Sequence, residues 1–129
     1  MDARRLESVP LFAELSRKDR KVVARHADEV ELASGTTIME EGRLANELFV
    51  IQSGTADVLI GGAVVAQIGP GDVVGEIGVL KTITRTATVV ATTPVAAIVI
   101  YGPELTALAD TMPTVAANLE RLIAERTGA

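Results

Sequence analysis

Between residues 29 and 101 the chain is cut into short apolar runs by glycine and proline. The runs are "VELASG", "TTIMEEG", "ELFVIQSG", "TADVLIGG", "AVVAQIGPGD", "RTATVVATTP" and "VAAIVIYGP". Each is too short to carry a helical stripe but long enough for one strand. Seven or eight such strands at this spacing argue for a sandwich or barrel. Gly61-Gly62, between "DVLI" and "AVVAQI", is a two-residue hairpin signal, because glycine takes positive φ at no steric cost. The chain has 129 residues, which suits one domain with one sizeable core. Aromatics make up only 2% of it, so Val, Ile, Leu and Ala must fill that core.

The flanks read differently. A short helical beginning fits residues 3 to 8, ahead of Pro10. In "LFAELSRKDRKVVARHA" Ser16 and Asp19 resemble a capping box with Asp in place of the usual Glu or Gln. Val22, Val23 and Ala27 then lie at helical spacing. Arg17, Lys18, Arg20 and Lys21 read as a solvated helix face. Pro103 opens a short segment, and Pro113 stands where a first-turn proline belongs. Val115, Leu119, Leu122 and Ile123 follow as one apolar face, suited either to core packing or to docking. One interior piece, "GEIGVLKT", does not look like strand and fits one or two helical turns.

Charge and composition exclude several functions. The formal net charge of −5 argues against general nucleic-acid binding, which rests on a basic face. With no cysteine there is no disulfide framework and no thiolate metal site. No run approaches the ~18 apolar residues of a membrane span. "MDARRLESVP" lacks the apolar stretch of a signal peptide. The expectation is a soluble, cytoplasmic domain. His26 is the single histidine and sits in the basic helix, so a multi-histidine metal centre is not available and a Ser-His-Asp triad has no support. Glu40 and Glu41 are adjacent on a strand, point to opposite faces and do not make an acid/base pair. "GPGDVVGEIG" matches neither GxGxxG nor GxxxxGK[ST]. The reading is of a non-enzyme without metal or cofactor.

What remains is "VGEIGVLKTITRTATV", residues 74 to 89, where Glu76 and Arg85 stand among small and apolar residues. Glycines at 71, 75 and 78 let a ligand approach the backbone closely. A helical turn begun at Glu76 would offer unpaired N–H groups to an anion. Arg85 adds a planar fork suited to phosphate oxygens, and Thr86 a hydroxyl. Glu76 would repel a bare phosphate but would accept from a ribose hydroxyl beside it. From the residues alone, a Glu76–Arg85 ion pair and a grip on a nucleotide are equally admissible.

The same stretch resembles the phosphate-binding cassette of the cyclic nucleotide-binding domain family, with its pattern G-E-x-[AG]-L, a spacer, then R-[STA]-A-x-V. The likeness extends along the chain through "VPLFAELS", "GTTIMEEGRLANELFVIQSGTADV", "IGPGDVVGE" and "TPVAAIVI". It implies a mainly β fold, a double-stranded β-helix (jelly-roll) β-roll, with a short helix in the cassette. The single domain, 1–129, would comprise a helical entry (1–28), the β-roll (29–101, cassette 74–89) and C-terminal helices (103–126). By the resemblance, Glu76 binds the ribose 2′-hydroxyl and Arg85 the exocyclic phosphate oxygens. Gly75, Ile77 and Gly78 supply backbone contacts, and Thr86 bonds the phosphate or a guanine. Val74 and Ala87 flank the grip, and Val64, Ile68 and Val89 extend its apolar wall. Thr84 departs from a proline common in the family, and Val79 from leucine.

The implied function is that of a regulatory module for a cyclic nucleotide, cAMP ahead of cGMP, whose C-terminal helices move when ligand binds. An effector protein or fused effector domain would dock on those helices. Asn118 and Arg121 are the polar residues there with a claim on the adenine edge. The alternative is an interaction scaffold of the same fold that no longer binds nucleotide. A phosphodiesterase or metal-dependent oxygenase stands far behind both, for want of histidines and cysteines.

Overall fold

The computed structural model describes residues 1–43, 47–75 and 87–126, with side chains through Arg121. A 3-10 helix, Ala3–Ser8, opens the chain and is capped by Asp2, whose side chain accepts from the Arg4 amide. Hydrogen bonds from the Arg4 side chain, then from its backbone, hold the Asp2 carboxyl at about 2. Helix α1, Arg17–Arg25, begins at the expected place: Ser16 Oγ accepts from the Asp19 amide at 3.1 Å.

Eight strands follow among the described residues. They are β1 (Ala27–Leu32), β2 (Thr37–Met39), β3 (Glu47–Ser53), β4 (Ala56–Ile60), β5 (Ala63–Ile68), β6 (Val73–Val74), β7 (Thr88–Ala91) and β8 (Val95–Tyr101). They form two antiparallel sheets, ordered β1-β8-β3-β6 and β2-β7-β4-β5, in a jelly roll. The β4–β5 turn falls on Gly61 and Gly62, both at positive φ (59° and 82°), with Ile60 opposite Ala63. That is the geometry a two-residue hairpin demands. Helices α2, Gly102–Thr111, and α3, Pro113–Arg126, close the chain, with proline in the first turn of each.

The apolar residues sort into two cores that share one sheet. Side chains alternate along a strand, so β3 sends Leu48 and Val50 one way and Phe49 and Ile51 the other. The first pair joins Ile98 and Ile100 of β8 against Leu6, Leu11, Phe12, Val23 and the C-terminal helices. The second joins Val95, Ala97 and Val99 in the space between the sheets, with Ala56, Val89 and Ala91 from the opposite sheet. This double burial explains why "LFVI" and "VAAIVI" are unbroken apolar runs instead of alternating ones.

Val115 and Leu119 of α3 are fully buried in the first core. The half of the C-terminal apolar face that they form is therefore core packing; the side chains of Leu122 and Ile123 lie outside the described residues. The short helix expected in the cassette also lies outside them. Arg20 departs from the expectation of a wholly solvated face. Its side chain is 16% exposed and donates to the carbonyls of Ala13 and Leu15, tying α1 to the turn before it.

Candidate functional site

The chain approaches the cassette through a clamped turn. Asp72 accepts from the Gly69 amide through Oδ2 at 2.8 Å, and its own amide donates to Gly69 O at 3.0 Å. The Gly71 amide donates to Ile51 O at 2.8 Å and the Ile51 amide to Asp72 O at 2.9 Å, so β3 holds the turn from the side. Val73 and Val74 then pair with Val50 and Phe49. Val73 faces the helical core, whereas Val74, 4% exposed, faces the space between the sheets. Gly75 follows at a φ of 92°, in the left-handed region that a β-carbon disfavours.

The far end of the cassette enters the other sheet. Ala87 is buried, and β7 places Val89 opposite Val58 and Met39, where it is 1% exposed. Val74 and Val89, from opposite sheets, therefore meet in one apolar cluster, and Ile68 packs on it. Val64 stands apart, 59% exposed on the β4–β5 hairpin. A cavity of about 280 Å³ opens toward the β1 and β2 edges, bordered by apolar Val30, Leu32, Ile38, Phe49 and Val99 and by Asp28, Thr37, Glu47 and Tyr101, with no described cassette residue in its lining. Glu76, Ile77, Gly78, Arg85 and Thr86 lie outside the described residues.

Three other polar residues find places that the sequence did not announce. Glu41 fixes the cassette's exit: its amide donates to Thr88 Oγ1 at 3.0 Å and its Oε1 accepts from the Gly61 amide at 3.1 Å. It thus links β2, β7 and the hairpin, while neighbouring Glu40 turns to Arg43 at 3.5 Å. Glu40 and Glu41 thus lie just past β2, which ends at Met39, and not on a strand as expected. Asn118 is 6% exposed, and its Nδ2 donates to Leu11 O at 3.1 Å. That bond turns one amide N–H to the entry turn, and at this depth of burial the rest of the amide has little access to a purine edge in this arrangement; Arg121 is exposed. His26 lies on the surface with Nδ1 3.7 Å from Glu104 Oε1 of α2. Among the described residues, no three His, Asp or Glu side chains converge in a way that could hold a metal ion.

The sequence profile of the cyclic nucleotide-binding domain matches residues 29–112, from β1 through the end of α2. The chain belongs to the cyclic nucleotide-binding domain family. That family is one of regulatory nucleotide-binding domains. A cAMP-dependent protein kinase regulatory subunit of Eremothecium gossypii is 36% identical over 89 residues, covering 68% of this chain and 19% of the relative. A Pycsar effector protein of Xanthomonas perforans is 35% identical over 102 residues, 75% of this chain and 34% of the relative. Among solved structures, the catabolite activator protein of Thermus thermophilus superposes with a TM-score of 0.82 at 28% identity, over 92% of this chain and 58% of that one. This cyclic nucleotide-binding domain thus spans about a fifth to a third of the length of the curated relatives it matches.

Proposed function

We propose that the chain is a receptor module that binds cAMP in preference to cGMP between Val74 and Val89, and that it signals by repositioning α2 and α3. Glu76 takes the ribose 2′-hydroxyl and Arg85 the exocyclic phosphate oxygens. Gly75, Ile77 and Gly78 offer backbone groups, Thr86 a hydroxyl, and Val74 and Ala87 the flanking apolar surface. The observation that carries this reading is the family match, because it embraces both Glu76 and Arg85 in one profile. The convergence of Val74 and Val89 on one apolar cluster supports it, since an apolar floor beneath a charged grip suits a nucleotide. The preference for cAMP draws on the relatives whose names carry that ligand. No chemistry is required of the module. Ligand binding need only favour one arrangement of the C-terminal helices over another.

Isothermal titration with cAMP and cGMP tests the reading. Saturable binding, tighter for cAMP, is expected. Arg85→Ala removes one partner of a desolvated, hydrogen-bonded charge contact, an effect of about 2–5 kcal/mol. It should weaken cAMP binding by roughly 30-fold to several-thousand-fold. An unchanged affinity in that variant would remove Arg85 from the site. A wild-type chain silent to both nucleotides would point to the scaffold reading.

A further inference from the structure

The charges of this chain are segregated. Seven of its twelve Lys and Arg residues lie in the first 25 positions, against only four of its seventeen Asp and Glu. The fold concentrates part of this basic share around one concavity of about 450 Å³, where the 3-10 helix lies across α1. Arg17, Lys21 and Arg25 line it together with Arg20. The first three are spaced four residues apart on α1, so they rise along one helix face in steps of about 6 Å. All three are exposed.

The acidic residues nearby do not neutralise that row. Asp2 is occupied by Arg4, with the guanidinium at 2.9 Å. Glu7 faces Arg20 at 3.8 Å, and Arg20 is already bonded to Ala13 and Leu15. Among the described residues, no carboxylate lies within ion-pair distance of Arg17, Lys21 or Arg25. Like charges one helical turn apart destabilise a helix, and Arg17 in the first turn of α1 also opposes the helix dipole. Arg25, in the last turn, favours the dipole, so it is the N-terminal part of the row, Arg17 and Lys21, that works against the element carrying it.

We infer that this face of α1 docks an acidic segment of a partner protein whose carboxylates repeat at about the same 6 Å step. Glutamates one turn apart on a partner helix have that spacing. Two other polyanions fit less well. A nucleic acid extends beyond the row onto a surface where acidic residues outnumber basic ones. A membrane would call for apolar anchors beside the charges. Among the described residues, the exposed large apolar ones are Ile60, Val64, Val65 and Tyr101, and none lines this concavity.

Two charge reversals separate a built surface from general attraction. Lys21 lines the concavity; Lys18 is exposed on the same helix and does not. The probe is a fluorescein-labelled alanine-rich peptide with glutamate at every fourth position, followed by anisotropy against the full chain at low and moderate salt. Saturable, salt-sensitive binding is expected. Lys21→Glu should weaken it about fivefold to twentyfold, and Lys18→Glu by less than about twofold. Circular dichroism checks the fold, and Lys21→Gln replaces the reversal should that variant not fold. Equal losses in both variants, or no saturable binding, would overturn the inference. So would tighter binding of a short DNA duplex or of phosphatidylserine vesicles with the same loss in Lys21→Glu, which would assign the row to nucleic acid or membrane.

Discussion

Glu76 and Arg85 pose a question that can be answered one functional group at a time. On the proposed reading, the Glu76 carboxylate accepts from the 2′-hydroxyl of the ribose; on the ion-pair reading, its only task is to hold Arg85. A hydrogen bond to a charged group contributes about 1.5–3 kcal/mol. Glu76→Gln should therefore weaken cAMP binding by roughly 10- to 150-fold. With 2′-deoxy-cAMP, which lacks the hydroxyl, wild type and variant should bind alike. Equal losses for both nucleotides would mean that Glu76 acts only through Arg85. Glu76 and Arg85 draw the eye in the sequence because charge among glycines and valines is conspicuous, and their joint role as a grip belongs to the proposed reading. Glu41 was not legible. Its importance lies in a hydrogen bond to the Gly61 amide twenty residues away, which no local pattern encodes.

Among the elements, those with local signals declared themselves in the sequence. Ser16 starts α1, Pro113 starts α3 and Gly61-Gly62 turns the hairpin, each for a reason confined to a few residues. The role of the C-terminal apolar face was left open, because helical spacing says that a face is buried but not against what. The structure puts Val115 and Leu119 into the core beside Leu11 and Phe12, and Asn118 locks the same helix to Leu11 O. That lock gives the proposed movement of α3 a measurable consequence. If α3 leaves Leu11 in the nucleotide-bound state, the bond opposes binding, and a net hydrogen bond contributes about 0.5–1.5 kcal/mol. Asn118→Ala should then lower the melting temperature yet tighten cAMP binding by about twofold to tenfold. A lowered melting temperature with unchanged affinity would take α3 out of the switch.

In the molecule as a whole, the sheet β1-β8-β3-β6 is the wall common to both cores. Val50, Ile98 and Ile100 pack on the helices, and Phe49, Ala97 and Val99 on the opposite sheet, so neither core can be lost while these strands stay intact and fully packed. The chain should therefore melt in a single cooperative transition. Val74 and its neighbour Val73 belong to different cores, so a ligand gripping the segment after Val74 should stabilise both at once. At a free cAMP concentration a hundredfold above Kd, binding adds about 2.7 kcal/mol to stability. For a domain of this size that raises the melting temperature by roughly 8–13 °C. Calorimetry with and without cAMP checks both points: one peak is expected, displaced intact. Two peaks of which cAMP moves only one would show that the shared sheet does not couple the site to the helical core, and a signal from the site to α2 and α3 would then need another route.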